Sequence, residues 1–256
     1  QDERWLHVAV TPLGNGSGSD IILTNSFGAS SVRLERHGLA GQAYEINQRA
    51  AQLSAQAAAE ASTPGRQVIV GGDIGPCGKL VVMGEIDEVA LYEVFSEQAR
   101  ALKAGGAHWL VIETMMDRSE MAVAVRAAAA TGLVVAATMT YERTSAGYRT
   151  VMGDSPEDCI RTALEEGASV VGANCGAGID SYVDLARQIR GLADCPLWIK
   201  ANAGLPEMVE DRTVYRMSPD AFCSYIPALL DAGVNIVGGC CGTSPEFIAR
   251  ARALVR

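Results

Sequence analysis

Short apolar segments alternate with longer Ala-rich segments along most of the chain, starting near residue 20. The apolar segments are rich in β-branched residues and recur at intervals of roughly 30 to 40 residues, which is typical of βα units. Their apolar content is nearly continuous, as expected of parallel strands that are covered on both faces. The pattern predicts strands at residues 20–25, 67–71, 108–113, 133–140, 169–174, 197–201 and 235–239.

The segments between these strands carry the signals of helices. Ser155-Pro156 and Ser244-Pro245 each place a capping Ser before a Pro at the first helical position. Glycines follow several of these segments just before the next strand, as they do in αβ loops. The pattern predicts helices at residues 38–62, 87–105, 118–131, 155–167, 180–192, 218–232 and 244–255.

Seven βα units imply an eighth, which would close a parallel barrel of the usual length. We therefore expect one domain over residues 1–256, an α/β fold of the (β/α)8 TIM-barrel type with an atypical or truncated first βα unit. Residues 5–10 are the predicted first strand, but only residues 11–19 separate them from the next one. A parallel crossover usually needs a dozen or more residues. We favour a segment absent from this numbering over a crossover without a helix.

Composition and charge narrow the class of protein. Hydrophobic residues make up 48% of the chain and charged residues 20%, which is typical of a globular domain. The formal net charge of −9, with both signs mixed along the chain, disfavours a nucleic acid or an anionic membrane as partner. The sequence has no apolar run long enough to predict a membrane span, and its first residues do not resemble a signal peptide. We therefore expect a cytoplasmic protein.

Cysteines follow two of the predicted strands, at the barrel end where such enzymes hold their active sites. Cys175 follows one strand, and Cys240 with Cys241 follows another, so the fold would bring three thiols together. Three thiolates suit zinc, in a tetrahedral site whose fourth position stays open for reaction. The other cysteines are expected to be small buried side chains, and they are Cys77, Cys159, Cys195 and Cys223.

Other polar residues at the same strand ends are candidate substrate contacts. Glu113 ends its strand inside this ring, where its carboxylate could receive the α-ammonium of an amino acid. The same carboxylate could instead cap the helix that follows. Asn25, Thr138 and Asn174 are the further predicted substrate-binding residues, although Thr138 could also point into the layers of side chains that fill the barrel.

Five segments resemble the homocysteine-binding domain of homocysteine S-methyltransferases. The resemblance covers roughly residues 19–256 in order, and its most specific part is the combination of GANC with GGCCGT. It implies a zinc-dependent barrel in which Cys175, Cys240 and Cys241 bind the zinc. It also implies that Asn202 holds the fourth position until the substrate thiol displaces it, and that Glu113 binds the substrate ammonium. The segments span residues 22–29, 75–78, 113–114, 172–175 and 238–243.

The amino end departs from this family. The family's first strand ends in an Asp-Gly turn whose backbone helps to hold the substrate carboxylate. Residues 1–20 contain no such motif. The resemblance therefore accounts for binding of the thiol and the ammonium, but not of the carboxylate.

The resemblance implies methyl transfer to the thiol of homocysteine, which gives methionine, with small molecules as substrates. The expected donor is betaine, S-methylmethionine or another small onium compound. In the alternative, a separate corrinoid protein supplies the methyl group. Betaine would call for an aromatic cage around its quaternary ammonium, and the candidates are Trp5, Phe27, Tyr141 and Tyr148.

Two further interpretations remain open from the residues. One is a Schiff-base or phosphate-binding barrel enzyme that uses Lys200, near a strand end. It gives the three cysteines no task, and a lone strand lysine is expected to extend to the barrel edge. The other is a zinc-binding or corrinoid-docking protein without catalysis.

Overall fold

The fold is a closed barrel of eight parallel strands, seen in a computed structural model that describes residues 7–10 and 18–255. Each strand pairs in parallel with its neighbours along the chain, and the last strand pairs with the first. The barrel strands are β1 (His7–Val10), β2 (Ile21–Leu23), β3 (Ile69–Ile74), β4 (Trp109–Met115), β5 (Val134–Met139), β6 (Val170–Gly178), β7 (Leu197–Asn202) and β8 (Ile236–Gly239). The predicted (β/α)8 architecture is confirmed.

The strand β1 fills the first position of the barrel. His7 pairs with Ile236 on one side, and Ala9 pairs with Ile21 on the other, so β1 joins the two ends of the sheet. Without it the sheet would expose two strand edges. The prediction of a first strand is thus confirmed for residues 7–10. Residues 5, 6 and 11–17 lie outside the described residues, so the nature of the first crossover stays a prediction.

Helices cover the outside of the barrel, and most of them lie within the predicted segments. The short helix at Ser31–Glu35 was not predicted. Ser155 caps its helix by accepting a hydrogen bond from the backbone N–H of Asp158. Short 3-10 turns at Ala40–Gln42 and Val81–Met83 lie in the loops that follow β2 and β3. The helices are α1 (Ser31–Glu35), α2 (Ala43–Ala61), α3 (Glu88–Ala104), α4 (Arg118–Ala129), α5 (Pro156–Glu165), α6 (Ile179–Arg190), α7 (Pro219–Cys223), α8 (Ile226–Asp231) and α9 (Pro245–Leu254).

The helix predicted over residues 218–232 is two helices, α7 and α8. Pro227 explains the break. It has no N–H to donate to the carbonyl of Cys223, and its ring would clash with that carbonyl in a continuous helix. The proline is instead accommodated in the first turn of α8.

Two β-hairpins that the sequence pattern did not predict extend from the carboxyl ends of β5 and β7. The first joins Glu142–Thr144 to Gly147–Arg149, and the second joins Pro206–Val209 to Arg212–Tyr215. Glu210 and Asp211 at the tip of the second hairpin both have positive φ angles, of 48° and 60°. This is the geometry of a type I′ turn, which Asn-Gly usually signals. The Glu-Asp sequence at this position does not predict a type I′ turn.

The barrel interior changes character from one end to the other. Apolar side chains that include Val111, Val170 and Trp198 fill its lower part. Two residues further along the same strands, Glu113 and Lys200 are also buried. Because alternate strand residues face the same side, the interior becomes polar towards the carboxyl ends of the strands. No helix in the described part of the chain is long and apolar enough to cross a membrane.

Candidate metal centre and active site

Cys175, Cys240 and Cys241 meet at the mouth of the barrel. Their Sγ atoms all lie within 4.8 Å of one another, and the Sγ atoms of Cys175 and Cys241 are 3.9 Å apart. A tetrahedral zinc site with Zn–S bonds of about 2.3 Å places its sulfurs about 3.8 Å apart. The three thiols predicted to converge therefore do so, at a spacing that suits such an ion. Cys241 is exposed, so the cluster is open to solvent on one side.

Backbone geometry brings Cys175 into this cluster. Cys175 has a φ of 61° and Gly176 a φ of 59°, both in the left-handed region. The pairing of β6 with β7 shifts its register between Cys175 and Gly178, so the strand bulges there. Bulges of this kind re-aim side chains and are common beside active sites. The hydroxyl of Tyr182 donates to the carbonyl oxygen of Cys175 at 2.6 Å and fixes the bulge from below.

Contacts within the cluster shift the pKa values of two of the thiols in opposite directions. Hydrogen bonds to Cys175 and Cys241 raise the pKa of Cys240. Hydrogen bonds from Cys175 and then Cys240 lower the pKa of Cys241. One thiolate is thus stabilised by its protonated neighbours, whereas three thiolates this close would repel one another strongly. A soft divalent cation would remove that repulsion, so the donor set fits zinc.

Asn202 lies at the end of β7 and bridges the two cysteine-bearing loops. Its Nδ2 donates to the carbonyl of Gly176 at 2.9 Å, and its Oδ1 accepts from the backbone N–H of Cys241 at 3.0 Å. Its Nδ2 also lies 3.9 Å from the Sγ of Cys175. The side chain therefore holds Cys175 and Cys241 at a fixed separation.

Asn174 forms a second brace beneath the cluster. Its Oδ1 accepts hydrogen bonds from the hydroxyl of Thr138 at 2.7 Å and from the backbone N–H of Thr114 at 2.8 Å. Its Nδ2 donates to the hydroxyl of Thr114 and lies 3.9 Å from the Sγ of Cys240. Thr138 thus points into the barrel. Asn174 and Thr138 are close to the cysteines, as predicted, but their polar groups bind other protein groups.

Glu113 is buried below the mouth, with only 9% of its surface exposed. Lys200, which is 2% exposed, donates to its Oε2 and also lies 4.6 Å above the ring of Trp198. The expectation that Lys200 extends to the barrel edge is therefore wrong. An ion pair and a cation–π contact stabilise its charge inside the barrel. A lysine held in this way is not presented to a carbonyl substrate, so the Schiff-base interpretation loses its support.

Asp73 on β3 is a third ionisable residue of this interior. It is 3% exposed, and its backbone is fixed by the hydroxyls of Thr24 and Ser26. Burial, and secondarily the charge of Glu113, raises the pKa of Asp73 well above its usual range, and Lys200 opposes this only in part. Asp73 was not among the predicted site residues, because the sequence does not show that its carboxyl group lies near Glu113 and Lys200.

Other predicted residues lie away from the cluster. Asn25 is exposed and makes no side-chain hydrogen bond within the described residues. Tyr141 and Tyr148 are buried, the ring of Phe27 packs under Arg33, and Trp5 lies outside the described residues. The described candidates thus do not form an open aromatic cage.

The four cysteines outside the cluster were predicted to be buried. This prediction is confirmed for Cys77, Cys159 and Cys223. It is wrong for Cys195, which lies in the loop before β7 and is only partly buried.

Tyr215 is a neighbour of the cluster that sequence reasoning missed. It ends the second hairpin and packs directly against Gly242, where a Cβ atom would overlap its ring. Burial, and then the adjacent Cys241, raises the pKa of Tyr215 to about 12. The hairpin thus brings an aromatic hydroxyl to the cysteine cluster. Nothing in the sequence pattern predicted this, because the turn that folds the hairpin back lacks its usual residues.

Comparison with known proteins places this geometry in a family. The family model of homocysteine S-methyltransferase matches residues 16–255. Methionine synthases of Mycobacterium tuberculosis and Mycobacterium leprae are 29% and 28% identical in alignments of 247 residues that cover 93% of this chain. The chain spans only 20% of the length of these relatives.

Solved structures show the same fold. The metallated form of the homocysteine methyltransferase MmuM from Escherichia coli superposes with a TM-score of 0.76 at 22% identity. The match covers 93% of this chain and 80% of that one. The oxidized form of the same protein gives a TM-score of 0.75.

Proposed function

Since the chain belongs to the homocysteine S-methyltransferase family, we propose that it transfers a methyl group to the thiol of homocysteine and so forms methionine. The observation that carries this proposal is the convergence of Cys175, Cys240 and Cys241 at the open mouth of the barrel. A thiol is a poor nucleophile at neutral pH, because the reactive form is the thiolate. A site that favours the thiolate form of its substrate answers this need.

We assign the three cysteines as the ligands of a zinc ion. When bound, zinc would supply a Lewis acid that favours deprotonation of an incoming thiol. Asn202 and Asn174 keep the ligand loops in place through the hydrogen bonds described above. The Oδ1 of Asn202 has a second lone pair, so it could also hold the fourth metal position until substrate arrives, as the family resemblance implies.

The reaction requires one bond to form and one to break. The sulfur of homocysteine attacks the methyl carbon in line, the S–C bond forms, and the bond from carbon to the donor's onium centre breaks. The thiol proton leaves to solvent through the open side of the cluster, where Cys241 is exposed. Glu113 would hold the α-ammonium of homocysteine and so orient its thiol towards the cysteines.

A small onium compound is the methyl donor that we propose. Betaine is the least supported, because Tyr141 and Tyr148 are buried in the core and provide no cage. One observation favours the alternative, a methyl group delivered by a separate corrinoid protein. Exposed apolar residues surround the mouth on the loops after β3 and β7, including Val82, Met83, Leu205 and Met208. Such residues are common in protein interfaces.

A donor assay tests the proposal. The zinc-loaded protein is incubated with homocysteine and, in turn, S-methylmethionine, betaine or a methylated corrinoid protein, and methionine is quantified. We expect methionine with an onium donor and none from the Cys240→Ser variant. Methionine formed only with the corrinoid protein would favour the alternative donor. No methionine with any donor, from protein that binds zinc, would contradict the proposed activity.

A further inference from the structure

The barrel interior holds two buried carboxyl groups, Asp73 and Glu113, and among the described residues one buried cation, Lys200. Lys200 donates to Glu113 and lies over the ring of Trp198. Among the described residues Glu113 accepts a hydrogen bond only from Lys200, through Oε2. Buried charges are normally paired, because transfer of an unpaired charge from water is costly. Lys200 can therefore neutralise only one of the two carboxyl groups, and Asp73 would need a second cation in order to ionise.

Asp73 is the carboxylate without a partner. Its Oδ1 is fully buried and has no hydrogen-bond partner among the residues that the structure describes. The backbone of Asp73 is nevertheless held on both sides, since its N–H donates to Thr24 Oγ1 at 2.8 Å and its carbonyl accepts from Ser26 at 2.7 Å. A fixed, buried and unpaired acceptor indicates a missing donor. The Nε1 of Trp198, in the same interior, is also buried without a partner among the described residues.

The surroundings of Asp73 indicate what kind of hydrogen-bond donor would fit there. Asp73, Glu113 and Lys200 share the polar end of the barrel interior, directly below the cysteine cluster at the mouth. A primary ammonium carries one positive charge and three donor hydrogens. It would supply the second cation that two carboxylates require. It would also give a donor both to Asp73 and to the Glu113 oxygen that Lys200 does not occupy.

We propose that Asp73 is a second receptor for the α-ammonium of the amino-acid substrate, acting together with Glu113. This assignment rests on the proposed function, since it takes homocysteine as the substrate. Lys200 is then a positioning residue, because it engages one oxygen of Glu113 and leaves the other for the substrate. In the empty site Asp73 keeps its proton, as its raised pKa indicates, and it releases that proton when the ammonium arrives.

The test compares homocysteine with 4-mercaptobutanoate, which has the same thiol and carboxylate but no ammonium. Binding of each to the zinc-loaded protein is measured by calorimetry for the wild type, Asp73→Asn and Asp73→Ser. The control variant is Asp154→Asn, whose carboxylate pairs with Arg118 outside the cluster. We expect the wild type to prefer homocysteine. Both Asp73 variants should lose about 10-fold or more of that preference, the range for a hydrogen bond to a charged group.

Each other outcome has a distinct meaning. Equal weakening of both thiols in the Asp73 variants would show a structural role and overturn the assignment, and so would an unchanged preference for homocysteine. A loss of preference in Asp154→Asn of the same size would also overturn it. If the wild type bound neither thiol, the proposed function itself would fail, and the role of Asp73 with it. Two substitutions of different size keep the test valid if one variant does not fold.

Discussion

The mouth of the barrel and its interior differ in how negative charge is balanced. At the mouth, three thiols lie within 4.8 Å and no cationic side chain is hydrogen-bonded to them in the described part of the chain. In the interior, Lys200 is already paired with Glu113. Under the proposed function the mouth would take up an ion from solution, whereas the interior already contains the cation Lys200. We infer that loss of a residue at the mouth costs function, whereas loss of a charge inside also costs stability.

Removal of a cysteine should have the largest effect. Cys175→Ser, Cys240→Ser and Cys241→Ser should each lose bound zinc, because a three-ligand site cannot be completed with two thiolates. Metal content per chain by elemental analysis checks this. Cys195→Ser is the matched control, since Cys195 is also partly buried but lies outside the cluster.

Zinc content equal to the wild type in all three variants would contradict the assignment. Loss of zinc in the control as well would point to general unfolding. Unfolding is monitored by circular dichroism of the same samples.

The interior should respond in stability. Lys200→Met leaves Glu113 buried without its cation, and removal of one partner of a buried ion pair typically destabilises by about 3–5 kcal/mol. The double variant Lys200→Met with Glu113→Gln should recover most of this loss, because no unpaired charge remains. Urea unfolding of the wild type, the single variants and the double variant measures the coupling. A Lys200→Met variant as stable as the wild type would contradict the predicted difference in stability between the mouth and the interior.

The fold itself was largely predictable from the sequence, and the reason is physical. Parallel strands buried on both faces read as continuous apolar runs, so their positions and the convergence of Cys175 with Cys240 and Cys241 follow from the βα alternation. Pro227 also carried the signal for the break between α7 and α8.

The pairing inside the site was not predictable in the same way. Whether Lys200 turns inward to Glu113 depends on which strand positions face the barrel interior, and nearly continuous apolar strands do not reveal this. The bulge at Cys175 and the turn at Glu210 and Asp211 place non-glycine residues at positive φ. Tertiary contacts impose such conformations, and local sequence gives no sign of them. Tyr215 reaches the cysteines only through that turn.

A smaller effect separates substrate binding from metal binding. Glu113→Gln should weaken homocysteine binding by about 1.5–3 kcal/mol, the range for hydrogen bonds to charged groups. Zinc content should not change, because Glu113 is not a ligand of the predicted site. Calorimetry on the zinc-loaded variant measures the affinity for homocysteine, and elemental analysis measures the zinc content. Unchanged affinity for homocysteine would show that Glu113 does not bind the substrate. Loss of zinc would show that the interior and the metal site are not independent.

The smallest predicted effect is on the pH dependence of stability. Burial, and then Glu113, raises the pKa of Asp73, so the folded protein keeps a proton that the unfolded chain releases. The free energy of unfolding should therefore fall as the pH rises above the usual range of an aspartate, by at most about 1.4 kcal/mol per pH unit. Asp73→Asn should lack this component. Identical slopes for wild type and variant, in urea unfolding at a series of pH values, would show that Asp73 is ionised in the fold.

The central claim is that homocysteine gives up its thiol proton at the three-cysteine mouth. Calorimetric titration of the zinc-loaded protein with homocysteine, in buffers of different ionisation enthalpy near neutral pH, tests it most directly. Thiol ligation releases a proton to the buffer, so we predict binding enthalpies that differ in proportion to the buffer's ionisation enthalpy. The Asp73→Asn variant, measured in parallel, cannot release a proton from residue 73, so the protons released by this variant come from the thiol. Enthalpies that coincide in all buffers would contradict the claim.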